Sequence, residues 1–317
     1  MDLIAIDIGG THARFALARI AQGKVSLGSE TVLKTGDYAG LGEAWDAFGR
    51  EFGRTLPSAA AVAVAAPVTG DAIKLTNNKW VLRPSELASE LGVQDAILIN
   101  DFAAVAHAVS VCGEADLRHV CGPDTPLPYE GVISIVGPGT GLGVGMLLRG
   151  AAGDRAIATE GGHVCFAPGD DLEDRLLARL RARFGRVSLE RVVCGVGLTE
   201  IHAAVTGEVG ALDDRALWQS ALAGLDEAAV RALERYCEIL GAAAGDFALA
   251  QGAAGVVIAG GLGHRLADHL PGSGFGRRFR NKGRFERLME TLPVKLITHP
   301  QPGLLGAAAA FAAEHRA

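Results

Sequence analysis

Short apolar segments that end in glycine or in polar residues recur along the first third of the chain. Residues 3–8 are apolar apart from Asp7 and run into a glycine pair, and strand-like character resumes over residues 15–20. A strand, a glycine turn and a second strand together predict a β-hairpin. Residues 59–66 and 96–99 predict two further strands, and residues 102–111 predict a helix. The second of these strands ends at Asn100 and Asp101, a common position for site residues in α/β folds.

The rest of the chain alternates strand and helix patterns. Residues 113–131 carry three prolines without apolar periodicity, which predicts a connector and a domain boundary. Apolar residues at steps of three and four over residues 228–250 predict a long helix. Further helices are predicted at Asp171–Phe184, at 188–194 and from Gly303 onward, and further strands at 132–136, 255–259 and Val294–Ile297. Alternation of this kind indicates an α/β protein.

Composition excludes several classes of protein. The 317 residues are 49% hydrophobic and 21% charged, with a net charge of −6, which is typical of a globular chain of about two domains. The charge pattern gives no indication of a nucleic-acid or membrane partner, and no secretion signal or transmembrane segment is expected. Five widely spaced cysteines are expected to be reduced and buried, as in a cytoplasmic protein.

Three strand-to-glycine junctions carry the first chemical signal. They lie at residues 7–11, with Asp7, Gly9, Gly10 and Thr11; at 137–143, with Gly139, Thr140 and Gly141; and at 260–263, with Gly260 and Gly261. Glycine lets backbone N–H groups approach a phosphate closely, and a threonine hydroxyl adds a donor. An aspartate beside such a loop can hold Mg²⁺ directly or through water.

The three junctions together resemble the actin, Hsp70 and sugar-kinase superfamily. The second loop lacks the dinucleotide-binding fingerprint, and the chain has no G-x-x-x-x-G-K-[ST] loop, so an ordinary P-loop protein is not expected. The resemblance implies an α/β, two-domain actin-like ATPase (ribonuclease H-like) fold with an interdomain cleft. The expected domains are a small one, 1–110 plus 301–317, and a large one, 111–300.

A closer resemblance covers the chain nearly end to end. The sequence is similar to the glucokinases of Gram-negative bacteria, a hexokinase-like family. The stretches that carry this similarity are Asp7-Ile8-Gly9-Gly10-Thr11, Ala66-Pro67-Val68-Thr69-Gly70-Asp71, Ile99-Asn100-Asp101-Phe102, Gly137 to Gly143, Glu160-Gly161-Gly162-His163-Val164, Ser188-Leu189-Glu190-Arg191-Val192, Ile258-Ala259-Gly260-Gly261 and Pro302-Gly303-Leu304-Leu305-Gly306.

This resemblance implies a role for each candidate residue. Asp101 would be the general base facing the 6-hydroxyl of the sugar, with Asn100 on neighbouring hydroxyls. The edge with the anomeric hydroxyl would be bound by Glu160, His163 and Glu190. The ATP phosphates would lie at Gly9, Gly10 and Thr11 and at Gly139, Thr140 and Gly141. Asp7 would hold Mg²⁺, through water, and Gly260 and Gly261 would lie by the adenosine.

The resemblance implies an ATP- and Mg²⁺-dependent glucokinase of the cytoplasm, forming a homodimer. Two alternatives are a kinase of another hexose, such as a member of the repressor/kinase sugar family, and a non-catalytic sugar sensor on the same fold. The first carries a cysteine-rich zinc element that Cys165 alone does not supply, and a sensor would tolerate loss of Asp101, which is present. General-base help from Asp101 would contribute about 10²–10⁴-fold to the rate.

Single residues allow other interpretations. Asp101 could be a helix N-cap, since aspartate is favoured there. His163 could be a buried histidine with satisfied hydrogen bonds or a metal ligand, and Glu190 could be a surface charge. Three positions depart from the family pattern: Ile6, His12 and Cys165 stand where relatives usually have Gly, Asn and Asp.

Overall fold

The computed structural model describes residues 1–75, 78–208 and 213–315, and the chain divides into two compact units. The first unit comprises Met1–Gly113, Asp154–Ala158 and His299–Ala317. The second comprises Glu114–Gly153 and Thr159–Thr298. A five-stranded sheet lies within the first unit and most of a six-stranded sheet lies within the second, each with helices against it.

Thirteen strands and eleven α-helices are present within the described residues. The strands are β1 Asp2–Ile8, β2 His12–Ala21, β3 Lys24–Lys34, β4 Ala59–Val64, β5 Ile73–Lys74, β6 Val81–Leu82, β7 Asp95–Asn100, β8 Leu117–Cys121, β9 Gly131–Pro138, β10 Leu142–Arg149, β11 Arg155–Thr159, β12 Ala253–Ile258 and β13 Val294–Ile297. The helices are α1 Leu41–Phe52, α2 Leu87–Leu91, α3 Asp101–Val111, α4 Asp171–Phe184, α5 Gly197–Thr206, α6 Asp214–Ala223, α7 Glu227–Gln251, α8 Gly260–Arg265, α9 Phe275–Arg280, α10 Glu286–Glu290 and α11 Pro302–Glu314.

The sheet of the first unit has the order β3-β2-β1-β4-β7. Strands β1 and β2 form the predicted hairpin, while β4 runs parallel to both β1 and β7. The register aligns Ile8 with Val64 and Val64 with Asn100. The carboxyl ends of these three parallel strands therefore meet at one edge of the sheet, which is where α/β folds commonly place their sites.

Alternate residues of β1 and β4 face two separate cores. Ile4, Ile6 and Ile8 lie in a core that includes Trp45 and Phe48 of α1, whereas Leu3 and Ala5 face α3 and α11 on the other side. This is the two-sided burial expected of the central strands of such a sheet. Helices α3 and α11 come very close, since a β-carbon at Gly306 would overlap the backbone oxygen of Ala104. Glycine at position 306 is therefore required by a close approach of two helices.

The second sheet has the order β11-β10-β9-β12-β13-β8. Strands β9 and β10 form a second antiparallel hairpin, and β12 runs parallel to both β9 and β13. The 25-residue helix α7 is the longest element, and it contributes many of the apolar side chains of this core. The core also contains a buried carboxylate, Glu173, which forms ion pairs of 2.9 Å with Arg235 and 3.0 Å with Arg278. A buried charge is tolerated because it is paired in this way.

Most of the predicted elements are confirmed, and the bounds of α4 and β13 agree to the residue. Two predictions are wrong. Residues 188–194, expected to be helical, contain a single 3₁₀ turn at Leu189–Arg191, because backbone pairing of Phe166 with Val187 and of Leu189 with Val164 extends the preceding segment. The expected connector 113–131 contains β8, which pairs with the edge of the second sheet through β13.

Candidate active site

The first glycine turn connects β1 to β2, and hydrogen bonds from Thr35, the residue directly after β3, stabilise its shape. The N–H of Gly9 donates to the oxygen of His12 at 2.9 Å. Thr35 donates twice, from its N–H to the oxygen of Thr11 and from its hydroxyl to the oxygen of Gly10, each at 3.0 Å. The backbone oxygens of Gly10, Thr11 and His12 thus accept hydrogen bonds from within the protein, while the Thr11 residue is exposed to solvent.

Asp7 lies in β1 two residues before this turn, and its side chain is 25% exposed. Burial raises the pKa of its carboxyl, and Arg14, opposite it in β2 at 3.9 Å, acts in the other direction. The carboxylate also lies against the start of α11, where a β-carbon at Gly303 would be 2.6 Å from Oδ2. A single partly exposed carboxylate fits Mg²⁺, which keeps several water ligands and binds through one or two carboxylates plus substrate phosphates.

Asn100 and Asp101 lie where β7 passes into α3. Asn100 is the N-cap of that helix, and its Oδ1 accepts from the N–H groups of Phe102 at 2.8 Å and Ala103 at 3.1 Å. Its Nδ2 donates to the oxygen of Ala66 at 3.2 Å. The interpretation of Asp101 as the N-cap is therefore wrong. Asp101 is the first helical residue, and its Oδ1 accepts from the N–H of Phe102 at 2.9 Å.

The register of the first sheet brings these two segments to the same edge. Ile8 precedes the glycine turn, Asn100 precedes Asp101, and both are aligned with Val64 of the strand between them. With strands spaced about 4.8 Å apart, β1 and β7 lie roughly 10 Å from each other. The carboxylate at the N-terminus of α3 and the first glycine turn thus lie at the same sheet edge, with β4 between their strands.

The second and third glycine segments meet in the second unit. The turn between β9 and β10 is closed by the N–H of Gly139, which donates to the oxygen of Gly141 at 2.8 Å. Gly260 begins α8 with a φ of +76°, and a β-carbon there would lie 2.5 Å from the oxygen of Pro138. Glycine at position 260 is required both by this left-handed conformation and by the close approach to the turn.

Glu160 directly precedes the short 3₁₀ turn Gly161–His163 that follows β11, and His163 is its last residue. Their side chains are 60% and 58% exposed, and Glu160 Oε2 lies 3.9 Å from His163 Nε2. The interpretation of His163 as a buried histidine is therefore wrong. The backbone oxygen of His163 accepts from the Arg186 guanidinium at 2.6 Å, which ties this turn to the segment leading to Glu190.

Glu190 is partly buried and bonded to the second glycine turn. Its Oε2 accepts from the N–H of Leu142 at 3.0 Å, directly after Gly141. The interpretation of Glu190 as a surface charge is therefore wrong. The second unit thus brings Glu190 to the predicted phosphate loop, 48 residues away in the chain.

Sequence reasoning missed several supporting residues. Arg14 and Thr35 gave no signal as part of a site, since neither belongs to a recognisable motif. Gly303 was part of a matching stretch and received no role, although it lies against Asp7. Leu142 was overlooked because it contacts Glu190 through its backbone N–H, and a pattern of side chains gives no indication of such a contact.

The cysteines and the search for metal groups add two findings. Cys194 and Cys237 are buried and Cys112 and Cys121 are partly buried, but Cys165 is exposed, so the prediction that all five are buried is wrong. Within residues 1–75, 78–208 and 213–315, no group of three or more His, Cys, Asp or Glu side chains could hold a metal ion. In the same ranges, no helix has the length and apolar character needed to cross a membrane.

Comparison with known proteins decides the family. The family model described as "Glucokinase" matches residues 4–314. The chain belongs to the glucokinase family. Among curated glucokinases, it is 58% identical to one from Zymomonas mobilis, over 98% of each chain, and 41% identical to one from Xanthomonas oryzae, over 97% of this chain and 94% of the other.

Solved structures agree with this family assignment. A glucokinase from an Antarctic psychrotroph superimposes with a TM-score of 0.85 at 33% identity, covering 98% of this chain and 99% of that one. A ROK hexokinase from Thermus thermophilus shares the fold, with a TM-score of 0.66 at 22% identity over 98% of each chain. The predicted two-domain actin-like sugar-kinase fold is confirmed. Glucokinase activity, the ATP-dependent phosphorylation of glucose, is likewise confirmed by the family, which does not favour the alternatives.

Proposed function

We propose that Asp101 is the general base that activates the 6-hydroxyl of glucose. The observation that supports this most directly is the shared register of Ile8, Val64 and Asn100, which brings Asp101 and the first glycine turn to one sheet edge. The proton of the 6-hydroxyl passes to the Asp101 carboxylate as that oxygen attacks the γ-phosphorus, and ADP leaves in line. Such transfers depend mainly on positioning and charge neutralisation.

We propose the remaining roles as follows. Asn100 keeps a donor for a sugar hydroxyl, because an amide has two N–H groups and one is held by Ala66. The opposite edge of the sugar is bound by Glu160, His163 and Glu190. The phosphates of ATP bind at Gly9, Gly10 and Thr11 and at Gly139, Thr140 and Gly141, and the adenosine lies by Gly260 and Gly261.

Asp7 is the proposed residue for Mg²⁺, through water. When bound, the ion neutralises charge on the phosphates as the phosphoryl group transfers. Arg14 favours the ionised form of the Asp7 carboxyl, the form that a metal requires. Gly303 leaves the carboxylate room against the first turn of α11.

The biological setting is proposed from the family resemblance. The two compact units would correspond to the two expected domains, the protein would act in glycolysis in the cytoplasm, and it would form a homodimer. The net charge of −6 and the mixed surface charges favour neither a nucleic-acid nor a membrane partner.

Replacing Asp101 with Asn tests the role of the base. The amide keeps an acceptor for the Phe102 N–H but takes up no proton, so we expect kcat to fall about 10²–10⁴-fold. Glucose binding, measured by calorimetry, should stay within a few-fold of the wild type. Glu160→Gln is the comparison variant, and it should chiefly raise KM for glucose. Turnover close to the wild-type rate in Asp101→Asn would overturn the proposed role.

A further inference from the structure

Glu190 contacts the second glycine turn at two points. Its Oε2 accepts from the Leu142 N–H at 3.0 Å, and the same oxygen lies so close to Gly141 that a β-carbon there would overlap it. The φ of Gly141 lies outside the left-handed region, so its backbone conformation does not require glycine. A larger residue at position 141 would therefore require the Glu190 carboxylate to move.

Leu142 is also held from its other side by the turn that carries Glu160 and His163. A β-carbon at Gly162 would overlap the Leu142 backbone oxygen. Two residues farther along β10, the Val144 oxygen accepts from the Thr159 hydroxyl at 2.8 Å. That hydroxyl in turn accepts from the N–H of Gly161 at 3.2 Å. The start of β10 is thus bonded to both segments that carry the proposed sugar ligands.

A carboxylate can serve both neighbours at once. It has two oxygens with about four acceptor sites, so Glu190 can accept from Leu142 and from a sugar hydroxyl together. Hydrogen bonds to an ionised acceptor are shorter and stronger than neutral ones. A shift of the turn that moves the Leu142 N–H therefore moves the carboxylate, and a bound sugar that fixes the carboxylate fixes the turn.

We propose that Glu190 couples glucose binding to the conformation of the second phosphate loop, acting as a positioning residue through the Leu142 N–H. This rests on the proposed function, in which Glu190 binds glucose and residues 139–141 bind phosphate. The coupling is reciprocal, as linkage requires, so each ligand changes the affinity for the other by the same factor.

Two matched glycine variants test the proposal. Gly141→Ala places a methyl group against the Glu190 carboxylate, whereas Gly150→Ala adds the same group directly after β10, where nothing lies within 4 Å. Glucose binding is measured by calorimetry without nucleotide, so effects of either methyl group on ATP do not enter. We expect Gly141→Ala to weaken glucose binding about tenfold, because a charge-assisted hydrogen bond is displaced. Gly150→Ala should stay within twofold of the wild type.

A second measurement guards against a general loss of structure. The Kd of a non-hydrolysable ATP analogue is measured with and without saturating glucose, in the wild type and in Glu190→Ala. We expect glucose to change the wild-type Kd by a factor within the roughly 5–150-fold range of such couplings, and this factor to fall towards one in Glu190→Ala. A merely destabilised protein would bind both ligands less well with the factor unchanged.

Three results would overturn the proposal: unchanged glucose binding in Gly141→Ala, equal losses in both glycine variants, or an undiminished coupling factor in Glu190→Ala. Each of these leaves the proposed function intact, because the wild type still binds glucose and turns it over. A wild type that binds no glucose would instead overturn the proposed function and this inference with it.

Discussion

The two hairpins that carry the glycine turns have the same topology but different chemistry. In the first sheet, β1 pairs with β2 antiparallel and with β4 parallel; in the second, β9 pairs with β10 antiparallel and with β12 parallel. The two hairpins differ at the second pair of facing residues counted from the turn. This pair is Asp7 and Arg14 in the first hairpin and Gly137 and Gly143 in the second. The same backbone thus carries a charged pair in one unit and bare glycines in the other.

The second hairpin receives its carboxylate from a distant segment instead. Glu190 lies against Gly141, as Asp7 lies against Gly303 at the start of α11. In each unit, a carboxylate next to a proposed phosphate turn is positioned by a glycine far from it in sequence. The comparison teaches that a β-carbon at either glycine would require the acid beside it to move, which can be tested one unit at a time.

Among the variants that bear on this comparison, the largest effect is expected from Asp7→Asn, which removes the acid of the charged pair in the first hairpin and leaves Arg14. Loss of the carboxylate that we propose for Mg²⁺ should lower kcat/KM about 10²-fold, measured across a Mg²⁺ series. Asp2→Asn is the matched control, since Asp2 faces Arg19 across the same two strands on an exposed surface, where such pairs contribute little. A comparable loss of kcat/KM in Asp2→Asn would contradict a specific role for Asp7.

The same variant should not lose stability. Because burial raises the pKa of Asp7, the folded protein binds that proton more tightly than the unfolded chain. The carboxyl therefore favours folding below the ordinary pKa of 3.8, and this contribution is lost as pH rises through the raised value. At neutral pH we expect Asp7→Asn to unfold at a Tm equal to or above that of the wild type. A clear fall in Tm would contradict this account.

A smaller effect, on stability, is expected from Gly306→Ala. Alanine favours an isolated helix by about 1 kcal/mol over glycine, yet here its methyl group would overlap the backbone of Ala104. We expect the free energy of unfolding to fall by about 2–3 kcal/mol in denaturant titrations. Gly36→Ala, where nothing lies within 4 Å, should be close to neutral. An unchanged free energy of unfolding in Gly306→Ala would mean that α3 and α11 separate easily.

The smallest effect is expected from Gly303→Ala, the counterpart of Gly141→Ala. Its β-carbon would lie 2.6 Å from Asp7 Oδ2, so the carboxylate must move. We expect binding of Mg·ATP to weaken about tenfold, which corresponds to about 1.4 kcal/mol, while glucose binding without nucleotide stays unchanged. Calorimetry of both ligands checks this. Equal weakening of both ligands would show that Gly303 supports the fold rather than the acid.

Local pattern predicted the elements that carry most of the candidate residues. The strand ends at Ile8 and Asn100, the glycine turns and helix α7 follow from apolar periodicity and glycine placement, which act over a few residues. The family resemblance supplied the role of each residue. Pattern alone treated Glu190 as a surface charge, because its partner Leu142 lies 48 residues away.

The errors share a physical cause. Residues 188–194 look helical by composition, but pairing with residues 164–166 holds the segment extended at its start. Strand β8 has no strong apolar pattern of its own, because it contains charged and polar residues. It belongs to the sheet through its backbone pairing with β13. In both cases, tertiary contacts override local preference.

One hydrogen-bonded chain behind the second turn gives the protein a built-in optical probe. The buried indole of Trp218 donates to the oxygen of Gly195 at 2.8 Å, and the N–H of Gly195 donates to the oxygen of Gly139 at 2.9 Å. The other two tryptophans, Trp45 and Trp80, belong to the first unit. We therefore expect a movement of Gly139 to change the fluorescence of Trp218, without any dye attached to the chain.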